Sequence, residues 1–554
     1  MDNEQLKKPI TLTLENGVFI CRCPKALEDL PLEAGFIETG KKEIVYYTRL
    51  PHVAARLVEF SANTNTQRAI KTTALLRSSW AEPLLDPPGG QSFLDFQPGA
   101  IKFVLERNRS YLALSPGLGK TVVAATVCRE LFLKHKSAFK AVYVCPPFLV
   151  TNTLNEFNKW CPEANTQIVN AKSPWKNHSA MTDILVEADI VIIPDSIIAR
   201  PIVKFFVALF ASLVADNMLI VDEAHRFKES KTQRTKAILG QGVGKPYTRF
   251  GLKLYFEKVC YMSGTPMPNR PMEIYTTVAK NAHECIDYVN KHAFGVRYCG
   301  AYYGTMGWDY SGESNKSELA ERVQHPTGPF MYKLNKDVLD LPPKMESTIF
   351  VSGTMSRQLA ALDNKIRNIA NPEGGIDMES YLIDKLKRPD SQLHVATYRR
   401  LLAIEKVPHT VAIVSEILEN EPQTKLLLFG VHREAMQALA DGLQQFNPHL
   451  IMGGVSTKAR NAAVDDIQSA NGKSRLVVAN IGAAGVGLTL TGAHRVVFHE
   501  PSWVPAENDQ ASDRAHRHGQ TKTVLVQYVL FQNSIDATII MSNLKKREAT
   551  KLFN

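Results

Sequence analysis

An acid pair follows a strongly apolar run near the middle of the chain. Asp222 and Glu223 open the segment Asp-Glu-Ala-His, directly after the run Asn217–Val221. Such a run predicts a buried strand, and open α/β sheets bind ligands at the carboxyl ends of their strands. There Asp222 can hold a nucleotide-bound Mg²⁺ and Glu223 can activate water. Acid pairs after strands also cap helices, so the tetrapeptide alone leaves both interpretations open.

A glycine-rich segment, Ser115–Thr121, follows another apolar run, Tyr111–Leu114. In a phosphate-binding loop, backbone N–H groups surround the phosphates, a lysine reaches the terminal phosphates and a hydroxyl is offered to Mg²⁺. The residues expected to do so are Gly117, Gly119, Lys120 and Thr121. The usual pattern has a glycine where this chain has Leu114, so a Gly-Pro turn that starts a helix is the alternative. The acid pair that follows favours the phosphate-binding loop.

Two shorter signals accompany these segments. Gln97 precedes the glycine-rich segment at a distance suited to contacting an adenine edge, because its amide donates and accepts in one plane. A lone glutamine is, however, usually a surface residue. The turn Met262–Pro266 carries the hydroxyls of Ser263 and Thr265, which suit the coupling of phosphate state to domain movement.

Three polar residues near the carboxyl end share one face of a predicted helix. At roughly 100° per residue, Gln510, Arg514 and Arg517 fall within about 60° of one another, and Gly519 is a suitable helix stop. Such arginines are usually solvated. The alternative is a pair of arginine fingers that neutralise charge on a transferring γ-phosphate.

The order of these four segments is that of superfamily-two helicase-like ATPases, and the chain resembles the Swi/Snf type of DNA-translocating ATPase over roughly residues 92 to 545. The resemblance lies in Asp222–Lys228 with Arg234, Leu341–Lys344, Trp503–Pro505 and Arg514–Gln520. Two further stretches resemble the annealing-helicase branch that remodels stalled forks: Pro268–Pro271, and Arg297–Cys299 with Gly307–Gly312.

The resemblance implies an α/β fold of two tandem RecA-like parallel-sheet lobes with helical insertions. It implies ATP and Mg²⁺ as cofactors, with ATP between the lobes, and double-stranded or branched DNA as partner. The glycine-rich loop near residue 485 is expected to bring backbone close to nucleotide or DNA phosphates, with Gly487 assigned to nucleotide. The expected DNA contacts, made mainly to phosphates, are Pro146, Pro147, Ser196, Gly485 and Thr489.

Composition agrees with a large intracellular protein that binds a polyanion. The chain has 554 residues, a net charge of +10, a pI near 9.0 and 44% hydrophobic residues. Charge alone fits a merely basic protein equally well. The segment Met1–Gln5 lacks the features of a signal peptide, and the apolar segment Phe205–Ala215 is too short to cross a bilayer. Eight scattered cysteines, with Cys21 and Cys23 as one close pair, are expected to be buried free thiols rather than a zinc site.

Composition shifts divide the chain into five segments. Residues 1–82 are expected to form a small α+β module, with a hairpin around Glu15–Gly17, a strand at Ile44–Thr48 and a helix near His52–Phe60. This module is either an accessory domain or a packing extension of the motor. Residues 83–91 are the predicted linker, 92–285 the first lobe, 286–405 helical insertions and 406–554 the second lobe.

The predicted function is ATP-dependent translocation on double-stranded DNA for fork regression, strand annealing or branch migration. Chromatin remodelling by the same motor is the first alternative, although no histone-reading extension is recognisable. An RNA helicase is less favoured, because the segments Trp503–Pro505 and Gly519–Gln520 match the DNA motors. An inactive nucleotide-gated scaffold would usually have lost Lys120, Glu223 or an arginine, and all are present.

Overall fold

The structure is a computed structural model that describes residues 11–15, 18–23, 37–39, 45–48, 83–135, 138–240, 251–287, 289–304, 307–370, 389–484, 489–532 and 534–553. These residues fall into two compact units. The first comprises residues up to 114, 119–334 and those after 551, and the second comprises 115–118 and 335–551.

Near the amino terminus, four short strands form an antiparallel sheet. They are β1 (Thr11–Glu15), β2 (Val18–Arg22), β3 (Ile37–Thr39) and β4 (Val45–Thr48), in the order β1-β2-β4-β3. Glu15 pairs with Val18, which confirms the predicted hairpin, and β4 lies within the predicted strand. The predicted helix near residues 52–60 lies outside the described residues.

The first unit contains a seven-stranded, entirely parallel sheet and a separate two-stranded hairpin. Its strands are β5 (Arg109–Leu114), β6 (Phe139–Cys145), β7 (Thr166–Ile168), β8 (Ile190–Pro194), β9 (Asp216–Val221), β10 (Lys258–Met262), β11 (Tyr302–Gly304), β12 (Gly307–Asp309) and β13 (Met331–Leu334). Its helices are α1 (Gln97–Leu105), α2 (Lys120–His135), α3 (Val150–Trp160), α4 (His178–Glu187), α5 (Pro201–Ser212), α6 (Gln233–Leu239), α7 (Met272–Asn281), α8 (Lys291–Cys299) and α9 (Lys316–Val323). The sheet order is β13-β5-β10-β9-β6-β8-β7, and β11 pairs with β12.

The second unit contains a six-stranded parallel sheet in the order β14-β19-β18-β15-β17-β16. Its strands are β14 (Lys344–Val351), β15 (Leu426–Gly430), β16 (His449–Ile451), β17 (Leu476–Asn480), β18 (Arg495–Phe498) and β19 (Val524–Phe531). Its helices are α10 (Arg357–Ala370), α11 (Pro389–Asn420), α12 (Arg433–Gly442), α13 (Thr457–Gln468), α14 (Ile481–Ala484), α15 (Pro505–Ser512) and α16 (Ile535–Thr550).

Two parallel sheets with helices confirm the predicted fold class. Central strands such as β6 and β8 are buried along their whole length, because helices cover both faces of a parallel sheet. Buried strands of this kind are mostly apolar, and for this reason the run Asn217–Val221 predicted a strand with bounds close to those of β9. The parallel crossovers also bring the carboxyl ends of β5, β6, β8 and β9 to one edge of the first sheet, where the candidate site lies.

The interval 286–405, expected to contain helical insertions, differs from that expectation. It contains strands β11 to β14 as well as helices, and its residues divide between the two units at Leu334 and Asn335. Strands β13 and β14 each lie at the edge of a sheet, and most side chains of β14 are exposed. An edge strand with exposed side chains lacks the apolar run of a central strand, which explains its weak sequence signal.

The predicted linker at 83–91 packs along α2. The backbone N–H of Leu85 donates to Glu130 Oε1 at 2.8 Å, and Arg129 donates to the carbonyl oxygen of Asp86 at 2.8 Å. This segment is therefore held by side chains of the first unit.

The eight cysteines are free thiols, and seven of them are buried. Among the residues that the structure describes, no helix is both long and apolar enough to cross a membrane.

Candidate active site

The glycine-rich loop connects the end of β5 to the start of α2. Gly117 and Gly119 have φ angles of +95° and +77°, in the left-handed region that favours glycine. Lys120 begins α2, and its Nζ donates to the carbonyl oxygen of Leu114 at 3.0 Å. This contact is made by the backbone at position 114 and so does not depend on the leucine side chain.

Gln97 lies against this loop rather than on the surface. Its side chain is buried, and its Oε1 accepts from the backbone N–H of Leu94 at 3.0 Å. A Cβ atom at Gly119 would lie 2.6 Å from Gln97 Nε2, so the close approach depends on glycine. Contact with an adenine edge stays a prediction.

Asp222 is a buried carboxylate at the carboxyl end of β9. Its Oδ2 accepts from the hydroxyl of Tyr143 at 3.1 Å, and its Oδ1 accepts from the backbone N–H of Glu223 at 2.8 Å. Burial and the adjacent charge of Glu223 raise the pKa of Asp222 to about 7, while the Lys120 ammonium opposes that rise. The charge of Lys120, at the end of the glycine-rich loop, therefore acts on the carboxylate of Asp222.

Tyr143 is a functional candidate that the sequence reasoning missed. It lies in β6, is fully buried, and its hydroxyl is hydrogen-bonded to Thr121 as well as to Asp222. Its hydroxyl thus joins the two residues predicted to hold Mg²⁺. The available signal was a single tyrosine hydroxyl between the valines Val142 and Val144 of a buried strand, and only the pairing of β6 with β9 shows its partner.

Glu223 has a strained backbone and an unsatisfied carboxylate oxygen. Its φ of 47° lies in the left-handed region, which costs a non-glycine residue of order 1–3 kcal/mol. Its Oε2 is buried and accepts no well-aligned hydrogen bond from the described residues, although His225 Nδ1 lies 3.3 Å away. Burial lowers the pKa of His225, which favours a neutral imidazole over an ion pair. A buried carboxylate oxygen without a well-aligned donor suits the orientation of a water molecule.

The hydroxyl turn is hydrogen-bonded to His225, whose Nδ1 lies 3.3 Å from the Glu223 carboxylate. Ser263 Oγ lies 2.9 Å from His225 Nδ1 and accepts from the backbone N–H of Thr265 at 3.0 Å. Ser263 is fully buried at the end of β10, with its N–H bonded to the Leu112 carbonyl oxygen in β5. The structure therefore places Ser263 beside the acid pair, while its coupling role stays a prediction.

The predicted DNA contacts of the first unit lie after neighbouring strands. Pro146 and Pro147 follow β6, where Pro146 is buried and Pro147 exposed, and the exposed Ser196 follows β8. Next to Ser196, the buried carboxylate of Asp195 pairs with Arg226 at 2.7 Å and with Arg234 at 3.2 Å. These pairs fix the start of that loop relative to the Asp-Glu-Ala-His segment.

In the second unit, the predicted helix through Gln510, Arg514 and Arg517 is wrong in its extent. Helix α15 ends at Ser512, so Gln510 is helical and both arginines lie in the turns that follow. The backbone N–H of Arg514 bonds to the carbonyl oxygen of Ala511, three residues back, and its own carbonyl oxygen accepts from Leu490 at 2.9 Å. These tertiary and three-residue bonds replace the regular helical pattern that the spacing suggested.

The two arginines differ in their surroundings. Arg514 is buried, whereas Arg517 is half-buried and donates to the Asp513 carbonyl oxygen at 3.0 Å and to Thr489 Oγ1 at 3.4 Å. Thr489, a predicted DNA contact, is thus exposed and lies within hydrogen-bonding distance of Arg517. Gly485 and Gly487 lie outside the described residues.

Asp513 holds the turn that follows α15 in place through buried ion pairs. The sequence did not indicate this role. Its carboxylate contacts Lys336 at 2.8 Å and Lys344 at 3.1 Å. Burial alone would raise the pKa of Asp513, but the two ammonium groups lower it to about 2. His516 Nε2 lies 2.8 Å from the Pro342 carbonyl oxygen, so the Leu-Pro-Pro-Lys and arginine segments of the sequence meet here.

Two protein-family models together match most of the chain. A model of the SNF2-related domain matches residues 96–378, and a model of the helicase conserved C-terminal domain matches residues 409–519.

Three curated relatives show similar coverage. The chain is 29% identical to the SWI/SNF-related matrix-associated actin-dependent regulator of chromatin subfamily A-like protein 1 of Xenopus tropicalis, over 82% of this chain and 44% of the relative. It is 26% identical to the DNA annealing helicase and endonuclease ZRANB3 of Mus musculus, over 82% and 40%. It is 25% identical to the uncharacterized ATP-dependent helicase MG018 of Mycoplasma genitalium, over 82% and 42%.

The chain thus spans less than half the length of each of these relatives. The match to the SNF2-related model covers more than half of the present chain, and it includes the glycine-rich loop, the acid pair and the hydroxyl turn. The helicase C-terminal match includes Gln510, Arg514 and Arg517. The chain therefore belongs to the SNF2-related family.

Proposed function

We propose that this protein is an ATP-dependent translocase on double-stranded DNA that remodels forks, anneals strands or migrates branches in replication, repair or recombination. The observation that carries the proposal is the grouping of Lys120, Thr121, Asp222 and Glu223 at one edge of a parallel sheet. There the hydroxyl of Tyr143, in the neighbouring strand β6, bonds to both Asp222 and Thr121. The name of the mouse relative, a DNA annealing helicase, supports the choice of DNA structure. Such work would place the protein with cellular DNA.

The residues present fit ATP with Mg²⁺. Burial and the neighbouring carboxylate of Glu223 raise the pKa of Asp222, so a bound cation would stabilise its charged form. Thr121 is bonded to the same Tyr143 hydroxyl as Asp222 and could offer its own hydroxyl to the ion. Mg²⁺ commonly takes one or two protein ligands and completes its shell with phosphates and water. When bound, the ion offsets negative charge on the phosphates. Among the described residues, no cluster of three or more His, Cys, Asp or Glu forms an all-protein metal site.

Each side chain of the site has a proposed task. Lys120 binds the terminal phosphates, Gln97, Gly117, Gly119 and Gly487 shape the nucleotide site, and Glu223 orients the attacking water. Arg514 and Arg517 supply positive charge during hydrolysis, with Gln510 beside them in sequence. Ser263 and Thr265 transmit the state of the acid pair, because Ser263 reaches it through His225.

DNA contact is proposed to be made mainly to phosphates. Its candidates are Pro146, Pro147, Ser196, Gly485 and Thr489. Of these, Pro147, Ser196 and Thr489 are exposed, Pro146 is buried, and Gly485 lies outside the described residues. The net charge of +10 favours a polyanionic partner. The experiment that tests the proposal compares ATPase rates with single strands, duplex, forks, four-way junctions and RNA. We expect duplex and branched DNA to stimulate hydrolysis far more than RNA, and stronger stimulation by RNA would overturn the substrate class.

Chromatin remodelling is the second candidate function, favoured by the name of the Xenopus relative. In this function the same ATPase would translocate on DNA that is wrapped around histones. A nucleosome-sliding assay run beside a fork-regression assay separates the two candidates, since the fork remodeller should act on naked forks and leave nucleosome positions unchanged.

Salt should weaken DNA binding steeply. A protein that neutralises phosphates releases counterions, so its affinity falls as a power of the salt concentration. We expect a loss of at least ~10-fold between 50 and 200 mM salt, measured by fluorescence anisotropy with a labelled duplex. Two duplexes of unrelated sequence should give the same slope. A salt-independent affinity would show that phosphate contacts are not the main source of binding.

Replacing Tyr143 tests the proposed Mg²⁺ site. Tyr143→Phe should leave the affinity for a fluorescent ATP analogue unchanged in EDTA. It should reduce by about 10-fold the gain in affinity that Mg²⁺ produces, because side chains that orient metal ligands typically affect metal affinity by 10–100-fold. The matched control is Tyr261→Phe, which removes a fully buried hydroxyl in β10 that bonds to Asn281 instead. An equal effect of both variants would identify a general packing role for Tyr143.

A further inference from the structure

The hairpin β11–β12 carries three exposed aromatic side chains. Tyr302, Tyr303 and Trp308 are 60%, 73% and 46% exposed. Tyr303 pairs directly with Trp308 across the hairpin, with ring centroids 5.6 Å apart, and so these two rings lie on one face. Large apolar side chains grouped on a surface are informative, because folding gains nothing from leaving them in water.

The base of this hairpin is fixed on helix α8. The His292 ring lies 4.3 Å from the Trp308 ring, and His292 Nδ1 lies 3.0 Å from the Tyr310 hydroxyl. A Cβ atom at Gly295 would lie 2.2 Å from the Tyr310 ring, so the two segments pack without a gap. Ser314 Oγ also accepts from the backbone N–H of Gly300 at 2.8 Å. The rings are therefore presented from a packed support, which lowers the entropy lost when they bind a partner.

The carboxylates around the hairpin are already bonded. Asp309 accepts from the Ser311 N–H at 2.7 Å and from the Tyr302 hydroxyl at 3.4 Å. Glu318 pairs with Arg297 at 2.7 Å, and Glu313 pairs with Lys316 at 3.2 Å. One cationic residue, Lys291, is exposed at the start of α8. The carboxylates beside the hairpin are therefore paired, and Lys291 adds a positive charge that favours an anionic partner.

The chemistry of the rings selects the partner. Flat rings that carry an O–H or N–H group match nucleobases, on which they stack for about 1–3 kcal/mol per base irrespective of sequence. Bases inside a duplex already stack on one another, so only unpaired bases are accessible to the rings. We propose that the hairpin β11–β12 binds unpaired DNA bases by stacking, with Tyr303 and Trp308 as the main contacts. This inference rests on the proposed function, since a fork or branch supplies unpaired bases beside duplex.

The test measures equilibrium binding of the full chain without ATP. Tyr303→Ala combined with Trp308→Ala should weaken binding of a fluorescent single-stranded DNA about 10-fold or more, while duplex affinity stays within about twofold. Tyr303→Phe with Trp308→Phe should restore single-strand binding, because the rings are kept. Tyr255→Ala, which truncates a 46% exposed tyrosine of the same unit, is the matched control and should change neither affinity.

An abasic single strand separates stacking from phosphate contact. The parent protein should bind it about as weakly as the alanine variant binds the normal strand. Unchanged single-strand binding by the alanine variant would overturn the proposal and leave the hairpin as a surface for a protein partner. An equal loss for single strand and duplex would also overturn it. Duplex-stimulated ATPase, measured separately, tests the translocase function: its absence in the parent would refute that function, while the binding comparison would still decide the role of the hairpin.

Discussion

Lys120→Ala is expected to abolish duplex-stimulated ATP hydrolysis and to reduce the affinity for an ATP analogue by about 10²-fold or more. Removing one partner of a desolvated, hydrogen-bonded charge pair costs roughly 2–5 kcal/mol, which corresponds to that loss. Lys120 begins α2, bonds to the Leu114 carbonyl oxygen at 3.0 Å and is electrostatically coupled to Asp222. It therefore lies where the terminal phosphates are proposed to bind.

The control for this variant is Lys134→Ala, in the last turn of the same helix. Lys134 is exposed and far along α2 from the glycine-rich loop, so its loss should change neither ATP affinity nor turnover. Affinity is measured with a fluorescent ATP analogue, and thermal unfolding shows whether each variant is folded. A folded Lys120→Ala protein that binds the analogue normally would refute the assignment of the phosphate site.

The buried strand before the acid pair and the local chemistry of the glycine-rich loop could be predicted from the sequence, whereas the exposed edge strand β14 could not. The run that ends at Val221 must be buried, because an apolar segment of that length gains most from a sheet covered on both faces. The position of Asp222 and Glu223 at its carboxyl end follows from chain order alone. Likewise, the glycines at 117 and 119 predicted a loop whose backbone can surround phosphates, and both have positive φ angles, which favour glycine.

Contacts between distant segments could not be predicted in this way. Tyr143 in β6 and Asp222 after β9 are 79 residues apart in sequence and meet only because the two strands are neighbours. The end of α15 at Ser512 was missed for a related reason. Helical spacing continues past it in the sequence, but Asp513 is buried against Lys336 and Lys344 from a segment some 170 residues earlier. Tertiary ion pairing decided the backbone there.

Glu223→Gln is expected to bind ATP and duplex DNA within about threefold of the parent protein and to hydrolyse ATP about 10²–10⁴-fold more slowly, the usual effect of losing a general base. The amide has the size of the carboxylate, so the left-handed backbone at Glu223 and the contact of its N–H with Asp222 should persist. What is lost is the negative charge on a buried Oε2 that accepts no well-aligned hydrogen bond from the described residues. Binding and hydrolysis should therefore separate in this variant, whereas Lys120→Ala loses both.

The matched control for this second variant is Glu229→Gln, which neutralises an exposed carboxylate shortly after the Asp-Glu-Ala-His segment. Its turnover should equal that of the parent, because its side chain is exposed and outside the proposed water site. Single-turnover hydrolysis with saturating ATP measures the chemical step apart from product release. Slow hydrolysis in Glu223→Gln with normal binding would assign Glu223 to the attacking water. Near-normal turnover in both Glu223→Gln and Lys120→Ala would refute the whole site. Lys120 is proposed to bind the terminal phosphate, and Glu223 is proposed to direct the water that attacks the same phosphate, so loss of either side chain must slow hydrolysis.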